Sequence, residues 1–168
     1  MKPPPAGGAT ARSPLLVDVV REAGDWSPTA AQIRTWASAA LGRRAAGAEL
    51  AVRVVKPAES KRLNARYRGR DNATNVLSFP VPQLPVTNAA PRGAPRPLGD
   101  LVICASVVRQ EARRQHKTIK AHWAHLVIHG ALHLLGYDHE QDDDARRMER
   151  REVAVLKRFG ITNPYRSL

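Results

Sequence analysis

A single cysteine among 168 residues, Cys104, leaves no partner for an intramolecular disulfide, which excludes a disulfide-stapled scaffold and fits a reducing cytosol. It lies in the apolar run Leu101-Val-Ile-Cys104-Ala and reads as a small core residue. No stretch approaches the roughly 18 uninterrupted apolar residues that a membrane span needs. The opening Met-Lys-Pro-Pro-Pro-Ala-Gly-Gly also lacks the apolar segment of a secretory signal. A cytoplasmic protein with no membrane partner is the expectation. Acidic residues are scarce too: 15 Asp and Glu face 27 Lys and Arg, a net charge of +12. Such a surplus favours polyanions, either nucleic acid or an anionic surface.

Histidine is missing everywhere except between His116 and His139, and three of the six read His129-Gly-Ala-Leu-His133-Leu-Leu-Gly136-Tyr-Asp-His139. On a helix, residues i and i+4 lie on one face about one turn apart, so His129 and His133 can converge on one ion. Gly136 can end that helix in a left-handed conformation that is costly to residues with a Cβ, and His139 then returns from the loop. Three neutral imidazoles with a fourth position open describe a catalytic metal site more than a closed structural one. Zn2+ is the first expectation for a single divalent transition metal ion, although the donor set also suits Ni, Cu or Fe. His125, His129 and His133 form a rival i, i+4, i+8 stripe, but its outer members are separated by about 12 Å along the axis and cannot share an ion. His122 and His125 therefore read as packing or outer-layer residues, and His116 as a solvated helix-end residue.

The length suits one domain with one core: a Pro/Gly/Ala-rich disordered tail over 1–13, then a single domain over 14–168. Strands are expected over Leu15–Arg21, Glu49–Lys56, Asn75–Phe79 and Gly99–Ala105. In the second, Leu50, Val52 and Val54 alternate with Ala51, Arg53 and Val55. Helices are expected from Ser27-Pro28 to Leu41 and over Glu59–Tyr67, Val107–His116, Ile119–Leu135 and Asp142–Phe159. A long loop, Pro80–Leu98, carries six prolines. The order β-α-β-α-β-β-α-α-α predicts an α+β fold: a small mixed four-stranded sheet covered by about five helices.

The histidine spacing is also that of H-E-x-x-H-x-x-G-x-x-H metalloproteases, in which the Glu is the general base. Here Gly130 stands at that position and can move no proton, which argues against peptide hydrolysis unless Asp138 or Glu140 substitutes. Phosphodiester cleavage asks less of a carboxylate and more of a cation for the developing charge, and guanidinium suits it. Lys56 to Arg70 supplies six cations against one acid, Glu59. Lys61 and Arg62 could equally form a solvated face. Arg68 and Arg70 bracket Gly69 at a helix end, where backbone and side chains can both approach a phosphate.

Three blocks, Tyr67-Arg-Gly-Arg-Asp-Asn-Ala-Thr-Asn-Val-Leu-Ser-Phe79, Leu98-Gly-Asp-Leu-Val-Ile103 and His122-Trp-Ala-His-Leu-Val-Ile-His-Gly-Ala-Leu-His-Leu-Leu-Gly-Tyr-Asp-His139, resemble the YbeY family of bacterial endoribonucleases and rRNA maturation factors. The likeness runs from about Glu49 to Tyr165. It implies a metal-dependent, single-strand-specific endoribonuclease acting on small-subunit (16S) rRNA, notably its 3′ end, and in ribosome quality control. Its implied partners are pre-rRNA and the small ribosomal subunit with its proteins or assembly GTPases. His129, His133 and His139 match the family's metal ligands, and Arg68 matches the arginine of its Tyr-Arg-Gly motif, tied to activity. Arg66 and Arg70 are expected to grip the RNA backbone. Arg70 stands where Lys is common, and Ala73 replaces a proline often seen before Thr74. The first dozen residues and the segment 80–98 have no counterpart. A different reading keeps the metal as a staple in a non-catalytic assembly factor that binds pre-rRNA.

Overall fold

Alternating apolar side chains build the sheet, and which of its faces a helix covers decides how far each strand is buried. In this computed structural model residues 13–22, 24–82, 93–137 and 142–166 are described. The N-terminal tail expected over 1–13 thus lies outside them apart from Ser13. The elements run β1 (Leu16–Arg21), α1 (Ala30–Leu41), a 3-10 turn (Gly42–Ala45), β2 (Ala48–Val55), α2 (Pro57–Arg68), β3 (Val76–Pro80), β4 (Arg96–Cys104), α3 (Ala105–Arg114), α4 (Ile119–Leu134) and α5 (Asp142–Lys157). The strand order is β1-β2-β4-β3, with the first three parallel and β3 antiparallel to β4. This is the mixed α+β sheet that the element order predicts.

Leu50, Val52 and Val54 of β2 join Leu101 and Ile103 of β4 under α1, α4 and α5 in the main core. The alternate residues Val55, Val102 and Cys104 meet Leu63 of α2 and Leu77 of β3 in a smaller cluster. Both faces of β4 are covered over Leu101–Cys104, so that part of its sequence reads as an unbroken apolar run. Cys104 is fully buried there, as expected of a small core residue.

Element ends differ from the sequence expectation in several places, α2 and α3 among them, and two of the differences bear on the fold. Helix α1 begins at Ala30, capped by Thr29, and not at Ser27-Pro28. The Thr29 hydroxyl accepts from the Gln32 amide at 3.2 Å while the Gln32 side chain accepts from the Thr29 amide at 2.9 Å, a reciprocal capping box. Ser27 and Pro28 instead accept hydrogen bonds from the Arg21 guanidinium, at 2.9 and 2.6 Å. The expected 80–98 loop is also partly strand: β3 reaches Pro80 and β4 starts at Arg96, while 83–92 lie outside the described residues. Among the described residues, Arg96 and Pro97 of β4 pair with β2 alone, and a residue with no N–H is tolerated at such an edge.

Gly99 pairs with Pro80 where the β2–β4 register shifts, at φ +136°. A Cβ there would lie 2.2 Å from the Phe79 carbonyl oxygen, a backbone atom that cannot move aside. On α2, Ser60 and Asn64 are buried polar residues one turn apart. The Ser60 hydroxyl donates to the Thr74 carbonyl at 2.9 Å and accepts from the Thr74 amide at 3.0 Å. The Asn64 amide donates to the Asn72 carbonyl at 2.8 Å. These bonds hold the 70–75 segment against α2, after Gly69 has ended the helix in the left-handed region at φ +68°.

Substituting Gly99→Ala should cost about 3 kcal/mol in urea unfolding through backbone strain and steric overlap. Asn64→Ala should cost about 1–3 kcal/mol by leaving the Asn72 carbonyl without its partner. Amide hydrogen exchange should then accelerate within 70–75 before it does elsewhere; unchanged exchange there would reject the stitching role.

Candidate active site

Helix α4 is apolar nearly all round, as expected of a helix sunk in a core. From His122 to Leu134 every residue is buried except His125, His129 and His133, which stay partly exposed. That stripe is the one face of the buried part of α4 that opens to a cleft. The pitch of the stripe is set at Gly130, where a Cβ would meet Leu101 Cδ2 at 2.8 Å and Ser78 Oγ at 3.2 Å. A larger side chain at that position would have to displace the Leu101 side chain and crowd Ser78, and glycine itself offers no group that could act as the protease general base.

His129 Nε2 and His133 Nε2 approach to 3.0 Å with ring centroids 4.6 Å apart. A proton on one nitrogen can bridge such a pair, and a cation with roughly 2.0–2.1 Å bonds to nitrogen can draw both lone pairs to itself. The helix then ends as the glycine predicts. Gly136 takes φ +88° and donates to the His133 carbonyl at 2.9 Å, and Tyr137 donates to the Leu132 carbonyl at 3.1 Å. Together these form a Schellman motif. His139, Asp138 and Glu140 lie outside the described residues.

Behind the pair lies Glu152 of α5, only 1% exposed. Its Oε1 accepts from His129 Nδ1 at 2.7 Å and lies 3.6 Å from His125 Nε2, and its Oε2 accepts from the Tyr165 hydroxyl. Burial alone would raise this carboxyl. The nearby His125 ring, the hydrogen bond and charge of His129 and the Tyr165 hydroxyl more than offset it and lower the pKa to about 2. Burial, followed by the Glu152 charge, pushes the Tyr165 phenol well above its usual range. Desolvation lowers His125 against the opposing pull of Glu152, favouring its neutral form. His125, His129 and Glu152 offer one ligand atom each within 4.8 Å of one another, a set that can hold a metal ion.

Arg68 and Arg70 line the same cleft of about 780 Å³ as His125, His129, His133 and Tyr165, with Asn75 and Ser78 between them. Among the described residues, none that line it is acidic. Partial desolvation, followed by the like charge of Arg70, lowers the Arg68 pKa, although a guanidinium stays charged throughout the physiological range. Asn75 is held in turn: its amide donates to Glu111 Oε2 at 2.9 Å, and that oxygen also meets His122 Nε2 at 2.8 Å.

The other expected residues are placed apart from the cleft walls. Arg66 is exposed on α2, its guanidinium 5.3 Å from the centre of the Tyr67 ring. Arg62 forks onto Glu59 at 2.7 and 2.8 Å, and Lys61 faces Asp71 at 3.4 Å, as a solvated face would. His122 is a buried packing residue, and His116 is exposed at the end of α3, with φ +53°.

Sequence reasoning missed Glu152 and Tyr165. A signal for Glu152 exists: Met148, Glu152, Val155 and Leu156 form the buried i, i+4, i+7, i+8 stripe of α5, and an acid on such a stripe needs a partner. Tyr165 carries no comparable sign.

Among the described residues no helix is long and apolar enough to cross a membrane. A family model described as endoribonuclease YbeY matches residues 22–160. The solution structure of TM1509 from Thermotoga maritima is similar at a TM-score of 0.54 and 22% identity, over 90% of this chain and 97% of that one, a likeness of fold. The family match spans most of the sequence and includes the cleft that joins two arginines to the histidine stripe. On those grounds the chain belongs to the YbeY endoribonuclease family, which assigns it an endoribonuclease role in rRNA processing.

Proposed function

We propose that residues 14–168 form one metal-dependent, single-strand-specific endoribonuclease domain that matures the 3′ end of small-subunit (16S) rRNA and serves ribosome quality control. On this reading it works in the cytoplasm beside the small subunit, its proteins or assembly GTPases. His129, His133 and His139 hold one divalent transition metal ion, zinc by donor type. The observation that carries the proposal is the shared cleft: two guanidinium groups on one wall and a pair of converging imidazole nitrogens on the other.

When bound, the ion would supply a Lewis acid that activates water or the attacking hydroxyl near neutral pH and polarises a phosphoryl oxygen. The protein's own groups do the rest. Arg68 is partly desolvated and faces the like charge of Arg70. A phosphodiester entering the cleft relieves both penalties and accepts the planar fork of the guanidinium. Arg68 is best placed to stabilise charge as it grows on the phosphorus oxygens, with Arg70 and the outlying Arg66 gripping the backbone on either side. Tyr165 lines the cleft and stays 42% exposed, so its ring offers a base a stacking surface, and this supports an unpaired substrate.

Metal analysis coupled to a cleavage assay on a single-stranded rRNA fragment tests this. His133→Ala should lose both metal and turnover. Arg68→Ala should keep the metal and lose at least about 100-fold in rate, the scale of one lost charge-stabilising contact. A duplex of the same sequence should remain uncut. Full turnover by Arg68→Ala would reject its role. Metal that raises the melting temperature while no RNA is ever shortened would favour the non-catalytic assembly factor.

A further inference from the structure

We infer that Glu152 and Tyr165 form a clamp that fixes the tautomer and orientation of His129, and that they are positioning residues of the histidine site, not ligands in it. The inference rests on the reading of His129 and His133 as metal ligands.

Burying a carboxylate in a core of Met148, Val155 and Leu156 is costly unless each oxygen is satisfied. Both oxygens of Glu152 are. Oε1 takes the proton of His129 Nδ1 at 2.7 Å, and Oε2 takes that of the Tyr165 hydroxyl. One partner on each oxygen fixes the plane of the carboxylate, and the fixed plane fixes the imidazole. The Tyr165 end is tied down as well: its amide donates to the Asn163 side chain at 2.9 Å, and its hydroxyl lies 3.3 Å from His125 Nε2. With Nδ1 committed as a donor, the His129 lone pair is on Nε2, the nitrogen that faces His133 at 3.0 Å. An imidazole free in water prefers its proton on Nε2, the wrong nitrogen for that pair. The clamp reverses the preference before any ion arrives.

The same residues could be read as a ligand set, because His125, His129 and Glu152 cluster within 4.8 Å. Distance argues otherwise. Two ligand atoms at about 2.0–2.2 Å from a tetrahedral ion stand roughly 3–3.5 Å apart, a range that the His129 and His133 nitrogens reach at 3.0 Å. The Nδ1–Oε1 separation of 2.7 Å is the length of a charge-assisted hydrogen bond. An ion between them would have to break the bond that makes the carboxylate tolerable there. Carboxylate partners of ligating histidines commonly act from this outer position, and their loss weakens metal binding by about 10–100-fold.

The test uses the full chain and Zn2+ titrated against a competing chelator, with ¹⁵N NMR of the His129 ring in the metal-free protein. Glu152→Leu matches the volume and the apolar surroundings, so thermal melts of the metal-free protein should stay cooperative. It should still bind one equivalent of Zn2+, about 10–100-fold more weakly, with the His129 proton moved from Nδ1 towards Nε2. Glu152→Gln keeps an acceptor and should keep the tautomer, with a smaller loss of affinity. Tyr165→Phe, at a half-exposed position, should shift affinity in the same direction, and it carries the test if Glu152→Leu does not fold. Unchanged affinity and tautomer in these variants, alongside a His133→Ala protein that no longer binds, would overturn the clamp alone. Wild-type binding by His133→Ala with loss of the bound equivalent in Glu152→Gln would instead move the ion to His125, His129 and Glu152, overturning the ligand reading as well.

Discussion

The contact between Gly130 and the sheet governs where everything else in the cleft can stand. Helix α4 lies close enough to β3 and β4 that a single added methyl group would overlap Leu101 and crowd Ser78. Leu126 and Leu134 of the same helix are buried in that core as well, so close packing favours one rotational setting of α4. The histidine stripe therefore points in one direction only. A motif that depends on two imidazole nitrogens meeting at 3.0 Å depends first on the absence of a side chain next door. The residue that disqualifies the protease reading is the same one that seats the helix.

Around that helix the protein assembles two walls of opposite chemical character. One is a buried relay of groups that hold each other in place: His129 to Glu152 to Tyr165, with His125 at its edge. The other is a pair of exposed guanidinium groups on a helix end and the segment after it, tied down by Ser60, Asn64 and Asn75. The first wall spends its charge internally, because the Glu152 carboxylate is satisfied by the histidines and a phenol. The second leaves its charge unspent, since the cleft offers Arg68 and Arg70 no acid among the described residues. Unspent positive charge beside side chains that could hold a metal ion is an arrangement suited to phosphodiester chemistry.

The charge of the whole chain extends the same logic. A net +12 spread over 168 residues attracts polyanions from a distance, but screening limits that reach to about 8–10 Å at physiological salt. Near the cleft the sign-selective work falls to particular groups. Several of the basic residues on α2 are neutralised locally, as Arg62 is by Glu59 and Lys61 by Asp71. What distinguishes Arg68 and Arg70 from these is their place on either side of the Gly69 turn, where both line the cleft.

Much of this was legible along the chain. The alternation of Leu50, Val52 and Val54 specified a face of β2, the apolar run around Cys104 specified a strand with Cys104 in the core, and Gly136 specified the end of α4. Spacing of four residues put His129 and His133 together because a helix turn is a local property, set by hydrogen bonds between near neighbours. Capping was less decisive: Ser27 and Thr29 are both able caps, and the guanidinium of Arg21, brought in from β1, claimed the first of them. What no local rule could supply is the meeting of His129 with Glu152, 23 residues later, or of either with Tyr165. Nor could it supply the approach of Arg68 from a different helix. Those depend on how α2, α4 and α5 pack on the sheet, a long-range outcome of burial that is non-directional along the sequence. By itself the sequence determined the elements and the helical pairing of two histidines; the tertiary structure alone decided which side of α4 would be open, and which acid, phenol and cations would look onto it.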